Sequence, residues 1–245
     1  MTGFNNFFKS AFTVDNVIFG FDEGDLKVLL IKRGEEPYEG KWALPGYFVY
    51  PTEDLDSAAV RVLKELTGLT DVYLEQVKTF GEVDRHPFGR VITIAYFSLV
   101  KINRYTLQPA SIALKAKWHS ISEVKSLAFD HYEILSACFE RLKWVVRTRP
   151  VGFELLPPKF TLTELQHLYE AILETDLDKR NFRKKILSMD LLVDLDELQE
   201  GVAHRPAKLY QFDREKYEKF RSEGFSFELK ESKKKEYKKI PATNS

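Results

Sequence analysis

Hydrophobic residues in the first hundred positions follow patterns typical of β-strands. A β-branched and aromatic stretch covers 12–21, Glu23-Gly24 supplies turn residues, and a second apolar stretch covers 26–32. Two short apolar stretches separated by a glycine-containing turn predict a β-hairpin. Two further strands are predicted at 72–83 and 90–100.

Two segments in the same part of the chain have apolar residues at helical spacing. Between 55 and 66 these residues share one face, Asp54 precedes the first turn, and Gly68 follows the last. An acid at the start and a glycine just past the end are typical of helix boundaries. A second amphipathic helix is predicted over 129–146, and this unit is predicted to end near Arg149.

The second part of the chain predicts two helices followed by a hairpin. Thr161 and Glu164 form a capping-box pattern ahead of an apolar stripe, and a second helix is predicted over 178–189. Two strand-like stretches follow at 191–195 and 207–212. Helix, short turn, helix and hairpin together give the outline of a winged helix-turn-helix domain.

Composition limits the classes of function. With 44% hydrophobic and 30% charged residues among 245, the chain is typical of a globular protein and neither disordered nor fibrous. Lys plus Arg number 37 against 37 Asp plus Glu, so any polyanion site must be a local patch. The single cysteine, Cys138, excludes a disulfide framework. No apolar run is long enough to span a bilayer, so a cytoplasmic protein without a membrane partner is expected.

The stretch LPGYFVYPTEDLDSAAVRVLKELTGL, residues 44–69, resembles the Nudix hydrolase signature. Signature positions are occupied by Glu53, Arg61, Leu63, Glu65, Gly68 and Leu69. Three other positions are substituted: Tyr47 stands for the first glycine, Val62 for the glutamate after the arginine, and Leu66 for the last glutamate. In an active member, carboxylates at the positions matching 62, 65 and 66 lie on one helical face and hold Mg²⁺ against a diphosphate.

Loss of two of these three carboxylates predicts a domain without catalytic residues, metal or cofactor. Val62 and Leu66 are expected to widen the buried stripe of the helix, which leaves Glu65 as a lone carboxylate. The alternative is an active Nudix hydrolase in which Glu53 helps Glu65 bind one metal, with a nucleoside diphosphate derivative such as ADP-ribose as substrate.

The cleft of such a domain still offers a place for a small-molecule effector. The candidate effector-binding residues are Tyr47, Tyr50, Glu53, Glu65, Asp84, Arg85 and His86. Aromatic side chains suit a sugar or ring face. Equally, the two tyrosines can fill space vacated by the signature residues, and the charged loop 82–90 can be merely solvated.

A basic segment, KRNFRKK at 179–185, lies in the predicted second helix of the helix-turn-helix. Phe182, Ile186 and Met189 share one face of this helix. The opposite face carries Arg180, Arg183 and Lys184. In a major groove, arginine binds guanine, asparagine pairs with adenine, and lysine contacts phosphates. The candidate DNA-binding residues are Lys179, Arg180, Asn181, Arg183 and Lys184, with Arg205 at the wing tip. A solvent-facing basic helix is the simpler alternative, and Leu187 near the basic face counts mildly against groove contact.

The two units in this order resemble the Nudix-related transcriptional regulators of the NrtR type and their pentose-responsive AraR relatives, over residues 10–222. The resemblance implies an α+β fold, with an N-terminal Nudix α/β/α sandwich at 1–149 and a winged helix DNA-binding domain at 150–225. The segment 226–245, with six lysines in 230–239, is predicted to be a basic disordered tail.

The resemblance also implies a function. It predicts a homodimer that binds double-stranded operator DNA and senses a small molecule in its Nudix domain. Tyr47 and Tyr50, with the weakened metal site, favour the sugar branch, a repressor of sugar-utilisation genes whose effector is a pentose such as L-arabinose; a nucleotide sugar is the second choice. A nonspecific nucleic-acid binder is a further alternative.

Overall fold

The computed structural model describes residues 10–70, 72–102, 113–203, 205–225, 227 and 229. In its N-terminal part, seven strands form one sheet. They are β1 (Ala11–Asp22), β2 (Asp25–Arg33), β3 (Trp42–Ala43), β4 (Gly46–Phe48), β5 (Tyr73–Phe80), β6 (Val91–Val100) and β7 (Ala113–Ser120). The central strands β1 and β6 run parallel, and the other pairs are antiparallel.

The predicted hairpin is confirmed. Asp22 of β1 pairs with Asp25 of β2, and the two residues between them, Glu23 and Gly24, both have positive φ. Positive φ at both central positions is the backbone that a tight hairpin turn requires. The strands β3, β4 and β7 were not predicted, because none of them has a long apolar pattern of its own.

Two helices cover opposite faces of the sheet: α1 (Leu55–Thr67) and α2 (His131–Thr148). Successive side chains of β1 point to opposite faces of the sheet. Val14 packs towards α1, and Val17 and Phe19 pack towards α2. The signature substitutions Val62 and Leu66 are 0% and 3% exposed. They pack between α1 and the sheet in a buried cluster that also contains Val14, Ala58, Ala59, Ile94 and Tyr96. The interpretation of Val62 and Leu66 as core residues therefore agrees with their positions.

The second unit contains a helix-turn-helix and a two-stranded wing. Its elements are α3 (Leu162–Leu173), α4 (Lys179–Ser188), β8 (Leu192–Leu198), β9 (Lys208–Phe212) and α5 (Arg214–Ser222). The Thr161 side chain accepts from the backbone N of Glu164 at 3.1 Å, and the Glu164 carboxylate accepts from the backbone N of Thr161 at 2.7 Å. This is the capping box that the sequence predicts. Helix α5 was missed because only Tyr217 of its residues is buried.

A 3-10 segment, Pro150–Leu155, joins the two units, and its Phe153 ring stacks on Phe212 of β9 at 4.3 Å. Side chains of β1, β2, α2, α3 and α4 belong to one buried hydrophobic cluster, so the winged helix packs against the sandwich. The division at residues 149 and 150 stays a prediction.

The expectation of a disordered segment 226–245 fails at the two positions of that range that are described. Phe227 is 3% exposed within the core, and the backbone N of Leu229 donates to the carbonyl of Arg147 at 2.9 Å. Apolar residues between the charges explain this packing. The remaining residues of the predicted tail lie outside the described residues.

These elements confirm the predicted α+β fold class, a Nudix-type α/β/α sandwich followed by a winged helix domain. Within the described part of the chain, no helix combines the length and the apolar character needed to cross a membrane.

Gly46 is the position where the sandwich depends on the absence of a side chain. A Cβ there would lie 1.9 Å from Oδ1 of Asp15, on the neighbouring strand. We expect Gly46→Ala to lower the free energy of unfolding by about 1–3 kcal/mol, measured by urea denaturation, because Asp15 is buried and must move. Gly81→Ala is the control, since its nearest neighbour would be 3.8 Å away. Equal stability of the two variants would contradict this prediction.

Candidate functional site

A cavity opens on the sandwich where α2 begins. It is formed by β1, β2, β4, the loop 82–90 and the residues around the start of α2. Its polar and aromatic lining residues include Asp15, Arg33, Glu35, Glu36, Tyr47, Phe48, Arg85, His86, Phe88, Phe129 and His131. The lining therefore combines aromatic rings with charges of both signs.

A buried arginine holds the loop of the cavity against the start of α2. The Arg85 guanidinium donates to both carboxylate oxygens of Asp130, from Nε at 2.8 Å and from Nη2 at 2.6 Å. It also lies 3.9 Å from the Asp15 carboxylate, and the Arg85 side chain is only 4% exposed. Two carboxylates around one buried guanidinium supply the compensating charge that burial demands.

His131 completes this network in its neutral form. Its Nδ1 accepts a hydrogen bond from the backbone N of Leu44 at 2.9 Å, so Nδ1 carries no proton. Its Nε2 lies 3.5 Å from Oδ1 of Asp15. The other oxygen of that carboxylate, Oδ2, accepts a hydrogen bond from the Thr93 hydroxyl at 2.6 Å. Burial lowers the pKa of His131, although Asp15 and Asp130 oppose the shift.

Aromatic rings form one wall of the cavity. The rings of His86 and Phe129 stack at 5.1 Å and 13°, and Tyr38 meets Phe129 edge-on at 4.9 Å. The Arg33 guanidinium lies over the Phe129 ring at 4.9 Å. Burial, followed by the charges of Arg85 and Arg33, lowers the pKa of His86. Phe129 has φ 54°, a strained conformation of the kind that often occurs at functional sites.

The structure places three of the seven predicted effector residues at this cavity. Tyr47, Arg85 and His86 line it. The other four, Tyr50, Glu53, Glu65 and Asp84, are not among its lining residues. Asp84 is exposed on the loop, and the remaining three are grouped around a single arginine of α1.

That arginine is Arg61, which binds both acidic residues of the signature. It donates to Glu53 at 2.9 and 2.6 Å and to Glu65 at 3.0 Å, and its guanidinium lies 4.0 Å from the centre of the Tyr50 ring. The hydrogen bonds from Arg61 lower the pKa of Glu53 to about 2. Among the described residues, no group of three or more His, Cys, Asp or Glu side chains is placed to hold a metal ion.

The donor set therefore does not fit the Mg²⁺ of a Nudix hydrolase. Arg61 already neutralises Glu53 and Glu65, and the side chains of Val62 and Leu66 offer no oxygen. A hard divalent cation prefers several oxygen ligands with free lone pairs.

Sequence reasoning missed Asp15, Arg33, Phe129, Asp130 and His131. One signal was available: Asp15 is a charged residue inside the apolar stretch 12–21, and a buried charge must have partners. Its partners come from β6 and α2, far along the chain, and spacing does not reveal them.

Helix α4 presents a basic surface. Lys179, Arg180, Asn181 and Lys184 are exposed, whereas Phe182, Ile186 and Met189 are buried as predicted. Arg183 differs from the prediction of a free basic face, because its Nη2 donates to the Thr163 hydroxyl of α3 at 2.9 Å. The helical wheel places Arg183 opposite the core but does not show the neighbouring helix. Arg205 is exposed between β8 and β9, and Leu187 is 46% exposed.

Comparison with known proteins places both units in families. Residues 10–138 match the NUDIX domain, and residues 152–212 match the NrtR DNA-binding winged helix domain. The chain is 38% identical over 210 residues to the ADPR responsive transcriptional repressor NtrR of Acinetobacter baylyi. The alignment covers 84% of this chain and 83% of that protein.

Two solved structures extend the comparison. Shewanella oneidensis NrtR complexed with a 27mer DNA has a TM-score of 0.73 and 34% identity, over 82% of this chain and 93% of that one. The NUDIX domain of the same protein complexed with ADP ribose has a TM-score of 0.51 and 33% identity, over 56% of this chain and 92% of that one.

Two of these relatives correct the expectation of a pentose-responsive protein, because the repressor of Acinetobacter baylyi is ADPR responsive and the NUDIX domain of Shewanella oneidensis NrtR forms a complex with ADP ribose. The structure also removes part of the basis for that expectation, since Tyr50 stacks on Arg61 and does not line the cavity.

Both families match in the predicted order, and the repressor of 38% identity aligns over most of its length. The chain therefore belongs to the NrtR family of regulators, which join a Nudix domain to a DNA-binding winged helix.

Proposed function

We propose that this protein is a transcriptional repressor whose affinity for operator DNA is set by ADP-ribose bound in the cavity of its Nudix domain. One observation carries the choice of effector: the cavity combines the His86–Phe129 stack with the guanidinium groups of Arg33 and Arg85. The ADPR responsive repressor and the NUDIX domain complexed with ADP ribose, both relatives of this chain, support the same choice.

Each part of ADP-ribose has a chemical counterpart in the cavity lining. An adenine ring has a flat face that stacks on aromatic side chains. Guanidinium groups bind diphosphate oxygens through charge-assisted hydrogen bonds, and the carboxylates of Glu35 and Glu36 are acceptors for ribose hydroxyls. A free pentose has neither an anion nor an aromatic ring, so it would leave both kinds of residue unused.

The proposed DNA contacts lie on α4. Arg180 and Asn181 are exposed at its N-terminal end, where a recognition helix reads base edges, and Lys179 and Lys184 are available to phosphates. Arg205 of the wing is a further candidate for phosphate contact. We also propose a homodimer on a two-fold symmetric operator, because one recognition helix reads only a half-site.

We propose further that the Nudix domain of this chain does not hydrolyse its ligand. Arg61 holds Glu53 and Glu65, and the signature positions 62 and 66 lie in the core. The effector is then released intact, and its concentration alone sets the occupancy of the cavity.

The first test measures binding of ADP-ribose by titration calorimetry. We expect Phe129→Ala to weaken ADP-ribose binding by about 5- to 150-fold, because stacking contributes about 1–3 kcal/mol per base. Tyr132→Ala is the matched control, since Tyr132 follows closely in sequence but is 44% exposed and does not line the cavity. Binding of L-arabinose in the absence of ADP-ribose binding would refute the proposed effector.

The second test measures operator binding by fluorescence anisotropy at fixed salt. We expect Arg180→Ala to cost about 1–3 kcal/mol and to relax the preference at one base pair. Arg221→Ala removes an exposed arginine from α5 and is expected to leave the affinity unchanged. Binding that depends steeply on salt but shows no sequence preference would instead indicate a nonspecific nucleic-acid binder.

The third test concerns the alternative of an active hydrolase. Incubation of ADP-ribose with the protein and Mg²⁺ or Mn²⁺ is expected to give no phosphate-containing products above background, since the donor set does not fit a metal. The Glu65→Gln variant should give the same background. Metal-dependent turnover that Glu53→Gln or Glu65→Gln abolishes would establish the hydrolase.

A further inference from the structure

An ion pair connects helix α2 of the sandwich to the helix-turn-helix. Lys143 Nζ lies 2.6 Å from Oε2 of Glu174 and 2.8 Å from Oε1 of Glu140, one turn away on α2. The Lys143 ammonium also lies 4.3 Å from the centre of the Phe139 ring, and its side chain is only 14% exposed. Lys143 is therefore held in one position, unlike a lysine that extends into solvent.

Glu174 stands at the start of the turn between α3 and α4. It ends α3 in the left-handed conformation, with φ 50° and ψ 43°. Side chains of α3 fasten the turn that follows: Gln166 Nε2 donates to the carbonyl of Leu177 at 3.0 Å, and the Glu170 carboxylate accepts from the backbone N of Leu177 at 2.9 Å. The turn is thus braced from α3 by side-chain hydrogen bonds.

Helix α4 follows this turn closely. Asp178 caps α4 by accepting from the backbone N of Asn181 at 2.8 Å, and the Phe182 ring packs on Tyr169 of α3 at 5.7 Å. The hydrogen bond from Arg183 to Thr163 joins the two helices again. Side-chain hydrogen bonds and ring packing therefore link the turn after Glu174 to the helix that carries the basic surface.

The other end of α2 forms part of the cavity. Asp130 precedes its first residue and is bound by Arg85, while His131 lines the cavity and faces Asp15. Between the two ends the inner face of α2 is buried from Ile134 to Val146, so the helix is one continuous packed element. It spans 18 residues from the cavity to the winged helix.

We propose that the Lys143–Glu174 ion pair is the contact through which occupancy of the cavity changes the operator affinity of α4. The proposal rests on the function proposed above and names the residues that regulate it. A ligand bound against Asp130 and His131 biases the position of α2, and Lys143 delivers that bias to the turn before α4. Neither Lys143 nor Glu174 lines the cavity or belongs to the DNA-binding surface, so their role is positional.

The proposal predicts which quantity changes when the pair is broken. The coupling is the ratio of operator dissociation constants measured with and without saturating ADP-ribose, and couplings of this kind are about 5- to 150-fold. A partly exposed ion pair contributes at most about 1 kcal/mol, which corresponds to about a five-fold change. We expect Lys143→Met to reduce the coupling by up to about five-fold, and ADP-ribose affinity in the absence of DNA to stay unchanged.

The experiment is a double-mutant cycle on the full chain. Operator binding is measured by anisotropy, with and without ADP-ribose, for the unmodified protein, Lys143→Met, Glu174→Gln and the double variant. If the pair carries the coupling, each single variant and the double variant show the same reduced ratio. Lys143→Arg, which keeps the positive charge, is expected to restore most of the ratio.

Lys159→Met is the matched control. It breaks another Lys–Glu pair, Lys159–Glu197, which lies wholly within the second unit and is about half exposed on both sides. Its coupling ratio should equal that of the unmodified protein. An unchanged ratio in Lys143→Met, or an equal reduction in Lys159→Met, would overturn the proposal. Absence of operator binding or of any ADP-ribose effect in the unmodified protein would instead refute the proposed function itself.

Discussion

The cavity depends on the buried carboxylate of Asp15. This carboxylate lies within β1, on the side that faces α2. It accepts a hydrogen bond from the Thr93 hydroxyl and lies close to His131 and Arg85. A buried carboxylate without such partners would cost several kcal/mol. The neighbouring strand must carry glycine at 46 to make room for it. One charge in the core of the sheet thus determines the loop, the strand and the helix start that surround the cavity.

The same network gives α2 two attachments of different kinds. At its start, Asp130 and His131 lie beside the charged side chains of Arg85 and Asp15. Along its inner face α2 shares one hydrophobic cluster with α3 and α4, so it packs directly against the second unit. Packed cores move as bodies rather than deforming continuously. Under the proposed function, an anionic ligand near one end of α2 acts on the orientation of the winged helix through these two attachments.

The sequence predicts the long elements well and the site poorly, for one physical reason. Periodic patterns report which face of a segment is buried, and they place β1, β2, α1, α2, α3 and α4 within a few residues. They do not report partners that are distant in the chain. Arg85 and Asp130 are 45 residues apart, and Lys143 and Glu174 are 31 apart. Arg183 shows the same limit, since a helical wheel places it outward while α3 supplies Thr163 beside it.

The family signature in α1 was informative because it is incomplete. Where a hydrolase carries two more glutamates, this chain buries Val62 and Leu66 against the sheet, and Arg61 neutralises the acids that remain. Each substitution exchanges an exposed metal ligand for apolar contact, which stabilises α1 and removes oxygen donors at the same time. A regulator responds to effector concentration through the equilibrium occupancy of its effector site. An effector that is hydrolysed while bound does not reach that equilibrium. On the proposed function, the loss of metal ligands and the retention of a cavity lined by guanidinium and aromatic groups both favour binding of an intact effector over its hydrolysis.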